Sequence, residues 1–95
     1  MHGNELAERV RAVLRSLAVL QADPSTLAEG DDLYDAGLRS LGAVRLLVAL
    51  EREFDVELPD SALHGGAFAT IGRICETIGA LQGAAGQRAA SAGAA

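Results

Sequence analysis

The segment "NELAERVRAVLRSLAVL" sets Leu6, Val10, Val13, Leu14 and Leu17 at a spacing that falls on one face of an α-helix. Arg9, Arg11 and Arg15 keep mostly to the rest of the circumference. Asn4 supplies a residue suited to the N-cap, and Glu5 an acid where the helix dipole favours one. The pattern predicts a first amphipathic helix.

A second helical pattern runs from about Ser40 to Glu53. Counted at about 100° per residue from Ala43, the residues Ala43, Leu46, Leu47, Leu50 and Phe54 lie within about 60° of one direction and form the expected core stripe. Leu41, Arg45, Val48 and Arg52 cluster on the other side, at about 140° to 200° on the same count. Scattered exposed aliphatics are normal on a protein surface, whereas an aliphatic and arginine face is also what a docking surface for another protein looks like. Periodicity alone leaves both readings open.

Between the two helices, "QADPSTLAEGDDLYDAG" reads as a long loop. Asp23-Pro24-Ser25 is a turn signal, because Pro24 pushes the preceding residue out of helical geometry. Leu27, Leu33, Tyr34 and Leu38 are spaced as anchors that fold the loop back over the core. Asp31, Asp32 and Asp35 do not follow the calcium-loop spacing and read as a solvated acidic stretch. Downstream, Leu58 before Pro59 ends the second helix, and Pro59 to Leu63 suits a short helical turn with proline at its first position. "HGGAF" is a joint, and Thr70 caps a last helix whose Ile71, Ile74, Cys75, Ile78 and Leu81 share a face. From Gly83 the chain has no large apolar residue, so 83–95 is expected to be a disordered tail on a single domain of 1–82. The expected fold is all-α, a small four-helix bundle of three longer helices, one short helix and a long first loop.

Composition narrows the function. A formal net charge of -5 disfavours nonspecific binding to nucleic acid and permits partners with basic patches. The lone cysteine, Cys75, forms no internal disulfide and reads as a small core residue; His2 and His64 have no partner at metal or triad spacing. The N-terminus lacks the apolar stretch of a signal peptide. The longest apolar run, Leu46 to Leu50, is too short to cross a bilayer. A cytoplasmic protein without membrane contact is expected.

Ser40, in "DAGLRSLGAVRLL", stands where a glycine-containing loop gives way to the second helix. As an N-cap it would contribute about 1 kcal/mol over alanine. As a nucleophile it lacks a nearby base and the hydrolase elbow pattern, and the chain has no phosphate-binding glycine loop or metal motif. No enzymatic activity is expected. A third role is modification by another enzyme, since a phosphoryl group attached at the positive end of a helix is electrostatically favoured there.

The segment "DDLYDAGLRSLGAVRLLVALEREFDVELPD", together with the order helix, long loop, helix, short helix, helix, resembles the acyl carrier protein family, also called phosphopantetheine carrier proteins. The resemblance spans about Glu5 to Leu81. It implies that Ser40 accepts 4'-phosphopantetheine from a phosphopantetheinyl transferase. The arm's thiol then carries an acyl or aminoacyl group as a thioester from an activating ligase to a downstream acceptor enzyme. It also makes the second helix the surface that partners recognise, with Arg39, Leu41, Arg45, Val48 and Arg52 as contact residues. The sequence does not show the oligomeric state, and a monomer that forms transient complexes is the default expectation.

Two departures from the family pattern stand out. Most relatives place an aspartate before the serine, where it helps the transferase dock and hold its metal; here the residue is Arg39, which is placed to pair with the phosphodiester. The second helix is also less acidic than is typical, with Arg39, Arg45 and Arg52 against Glu51 and Glu53, which points to partners with an apolar or acidic docking site. Gly42 replaces a position that is often acidic, at a helix cost of about 1 kcal/mol relative to alanine, and close approach of a partner backbone would account for it. The loop and the non-aspartate before the serine also resemble a smaller group of carriers, loaded with an amino acid by truncated relatives of class II aminoacyl-tRNA synthetases. The competing reading is a cofactor-free helical interaction module in which Ser40 only caps.

Overall fold

A computed structural model describes residues 2–64 and 66–94, with side chains described for 5–64 and 66–83. Its helices are α1 (His2–Leu17), α2 (Ser40–Phe54) and α3 (Ile71–Ala94), with single 3-10 turns at Pro24–Thr26 and Asp60–Leu63. The described residues include no strand. The fourth element of the expected bundle is therefore one 3-10 turn, with Pro59 in its cap position rather than its first position. Past Gly83, the expected tail falls on residues whose side chains lie outside the described ones.

The three apolar stripes meet in one core. Val10, Leu14, Leu46, Leu50, Ile71, Ile74 and Ile78 are fully buried, and Phe68, from the joint before α3, fills the space among them. α1 packs against both α2 and α3. Every residue of the stripe read on the second helix is buried, whereas Leu6, Leu17, Cys75 and Leu81 are only partly covered. Ala7, which the pattern did not single out, is buried as well.

Helix ends differ from expectation in instructive ways. α1 begins at His2, ahead of Asn4, so Asn4 is not its cap; asparagine has only a modest intrinsic cost inside a first turn. α2 stops at Phe54, within a residue of the expected Glu53, but what ends it is Asp55 rather than Leu58-Pro59: Asp55 turns left-handed (φ 53°, ψ 51°) and donates its N–H to the Glu51 carbonyl. Thr70 does cap α3: its Oγ1 accepts from the Arg73 N–H at 3.0 Å.

The long loop is held at several points along its length. Leu33 and Leu38 are buried as expected, but Tyr34 is 42% exposed and is not a core anchor. Backbone bonds run from Gln21 N–H to the Ala36 carbonyl (2.9 Å), from Leu33 N–H to the Ala69 carbonyl (2.8 Å) and from Gly72 N–H to the Glu29 carbonyl (2.9 Å). Arg11, expected at the polar surface, is half-buried and donates to the carbonyls of Pro24 (2.7 Å) and Leu27 (2.6 Å), tying the loop to α1. The Asp23 carboxylate accepts from the Ser25 N–H and hydroxyl.

Candidate functional site

The loop delivers Ser40 through two close fits. Gly37 has φ 115°, and a Cβ there would lie 2.8 Å from the Gln21 backbone nitrogen. The next residue, Leu38, is 3% exposed and donates its N–H to the Leu33 carbonyl at 3.0 Å. With Leu38 pinned in the core and Ala43 buried on the first turn of α2, the extended residue that opens the helix is Arg39 (φ -117°, ψ 173°). Its carbonyl accepts from the Ala43 N–H at 2.8 Å, and its side chain makes no capping bond.

Ser40 is thus the first helical residue and not the cap, which corrects the capping reading. To cap, it would need the extended backbone that Leu38 and Ala43 assign to Arg39. Its side chain is exposed, and its hydroxyl has no hydrogen-bond partner among the described residues. The N–H groups of the first turn around it have no intrahelical acceptors, so the hydroxyl stands in a positive local field.

Beside Ser40 lies an open groove of about 410 Å³, floored by Leu38, Ala43, Val44 and Leu63 and edged by Tyr34, Arg39 and His64. Tyr34 and His64 were not legible as site residues. Tyr34 sits among aspartates in a loop whose leucines all read as anchors, and His64 is brought in by the turn Asp60–Leu63, a long-range placement with no local signal.

The outer face of α2 carries the residues expected there. Leu41 is 73% exposed and Val48 44%; Arg45 and Arg52 are also exposed. Val44, at 44% exposure, belongs to the same face and lay just outside the angular window that singled out the others. Gly42 has an internal cause that the sequence did not reveal: a Cβ there would sit 3.2 Å from the Val19 Cβ and 3.4 Å from the Leu38 Cδ1. Cys75 is partly covered, and burial together with Glu29 pushes its thiol up from the ordinary range, so it stays protonated and is a poor nucleophile.

Residues 8–78 match the family described as the phosphopantetheine attachment site. The chain belongs to that family. An aminoacyl carrier protein from Agrobacterium fabrum is 38% identical over 69 residues, which is 73% of this chain and 83% of that protein. An acyl carrier protein from Caulobacter vibrioides is 40% identical over 60 residues, 62% of this chain and 74% of the other. Among solved structures, a carrier protein from Agrobacterium tumefaciens, crystallised with an engineered Bradyrhizobium japonicum glycine:[carrier protein] ligase and ATP, superposes with a TM-score of 0.71 at 36% identity. That match covers 77% of this chain and 95% of the other. The protein is accordingly a carrier for acyl or aminoacyl groups and not a catalyst, and its cofactor is 4'-phosphopantetheine.

Proposed function

We propose that Ser40 bears the 4'-phosphopantetheine arm, and that the chain receives an aminoacyl group from an amino acid:[carrier protein] ligase and presents it to a downstream acceptor enzyme in the cytoplasm. The observation that carries the reading is the Ser40 hydroxyl, exposed, free of hydrogen bonds among the described residues and set on the first turn of α2. The neighbouring residues fit the group. The exposed Arg39 guanidinium is available to a phosphodiester on Ser40, and the groove beside it combines an apolar floor with polar edges, as an arm with both amides and methyl groups requires. When bound, the arm supplies a terminal thiol on which the cargo rides as a thioester. The likeness to the aminoacyl carrier protein and to the ligase-bound carrier favours an amino acid as the cargo.

The test is intact mass after incubation with coenzyme A and a broad-specificity phosphopantetheinyl transferase. Attachment forms the Ser40 Oγ–P bond and breaks the coenzyme A pyrophosphate, releasing adenosine 3',5'-bisphosphate and the hydroxyl proton. The wild-type chain gains one phosphopantetheinyl unit and Ser40→Ala gains none. No gain with several transferases that modify a control carrier, in the wild type or in Arg39→Asp, would overturn the assignment of the arm to Ser40.

A further inference from the structure

α2 carries acids and arginines together, but the fold treats the two signs differently. Glu51 turns its carboxylate inward, where Oε2 accepts from the Leu58 N–H at 2.8 Å. Glu53 is taken up by Arg9, whose guanidinium donates to Oε2 at 3.1 Å and to the Glu53 carbonyl at 3.0 Å while lying 4.4 Å from the centroid of the Phe54 ring. The arginines stay free. Arg39, Arg45 and Arg52 are exposed and form no ion pair among the described residues.

Those guanidiniums flank an aliphatic ridge of Leu41, Val44 and Val48. On a helical count, Leu41, Arg45, Val48 and Arg52 fall within about 60° of one another, so these two aliphatics and two guanidiniums share one face, with Val44 beside it and Arg39 at the N-cap before it. Beside it, between α1 and α2, runs an open groove of about 770 Å³ with Val13, Leu17, Val44 and Val48 along it. A chain of net charge -5 therefore turns a positive, apolar face outward at the helix that starts with Ser40.

We infer that this face docks a protein surface in which carboxylates rim an apolar ridge or hollow, and that the enzymes serving Ser40 present such a surface. The charge pattern selects the partner: exposed guanidiniums gain from facing carboxylates and oppose a basic surface, while the aliphatic ridge supplies the desolvated centre of the contact. The inference rests on the proposed carrier role for the identity of the partners, but not for the chemistry of the face.

The test uses the ¹⁵N-labelled full chain with Ser40→Ala, so that a failure of attachment and a failure of docking read out separately. Two stapled helical peptides share a leucine ridge and differ only in flanking residues, glutamates in one and lysines in the other. The glutamate peptide is expected to shift the amide signals of Leu41, Val44 and Val48 and to bind at least about tenfold more tightly than the lysine peptide, because several surface charge pairs change sign together. Arg45→Glu with Arg52→Glu should reverse that preference. Leu41→Asp, at a site too exposed to disturb folding, should abolish binding of either peptide. Equal or tighter binding of the lysine peptide, shifts confined to other elements, or no shifts with either peptide would overturn the inference. So would stronger perturbation of α2 by anionic phosphatidylglycerol vesicles than by the glutamate peptide at physiological salt.

Discussion

At the residue scale, two glycines hold the attachment region in place for different reasons. Gly37 is needed for its backbone: φ is 115°, and a Cβ would press on the Gln21 nitrogen at 2.8 Å. Gly37→Ala should destabilise the chain by roughly 2–3 kcal/mol, read by urea titration. Gly42 is needed for space, in a helix where alanine would otherwise be preferred. Alanine adds about 1 kcal/mol of helix propensity, but its Cβ meets Val19 at the branched carbon, which cannot swing aside. Overpacking of about 1–3 kcal/mol wins, and Gly42→Ala should lower the midpoint of thermal unfolding. A rise would mean that the Val19 segment shifts easily.

At the element scale, the helix ends and the first loop determine how Ser40 is presented. α1 and α2 both end on left-handed residues that are not glycine, Ala18 (φ 55°) and Asp55 (φ 53°). A left-handed backbone costs an L-residue about 1 kcal/mol or more that glycine avoids, so Asp55→Gly should stabilise the chain by about 1 kcal/mol, measured by denaturant midpoint. In the first loop, the N–H and then the hydroxyl of Ser25 hold the Asp23 carboxyl below its ordinary range. Because the folded pKa is depressed, this contribution is fully present above the unfolded carboxylate pKa of about 3.9 and fades as pH falls through the lower folded value. Asp23→Ala should therefore melt earlier than wild type at pH 7, and the gap should close in acid.

At the scale of the whole molecule, a small core depends on few large side chains, and Phe68 is the one aromatic that is fully buried. It reaches the core from the joint between Asp60–Leu63 and α3, so it couples that joint to the helices. Phe68→Ala should cost about 3–5 kcal/mol and leave little folded protein at ambient temperature, as judged by circular dichroism. The charge layout is also a property of the whole molecule. α1 supplies Arg9 to neutralise Glu53, and the stretch before Pro59 supplies the Leu58 N–H that engages Glu51. Those long-range contacts engage the two acids that flank the positive outer face of α2.

Periodicity by itself determined the all-helical class, the residues of the α2 core stripe, the outer face Leu41, Arg45, Val48 and Arg52, and the special position of Ser40 at a helix start. Each is a local property, set by the 3.6-residue repeat and by which side chains favour water. What the tertiary structure decided depends on distant partners. Leu38 and Ala43 assign the cap to Arg39 and leave the Ser40 hydroxyl without a hydrogen bond among the described residues. Val19 accounts for Gly42, and packing of the Asp60–Leu63 turn brings His64 to the groove beside Ser40. Arg9 and Leu58, reaching α2 from elsewhere in the chain, engage the acids that flank its outer face. A repeat along one helix carries no information about which neighbour across the bundle will meet each side chain, and that meeting decides whether a hydroxyl is used inside the fold or left available to a partner.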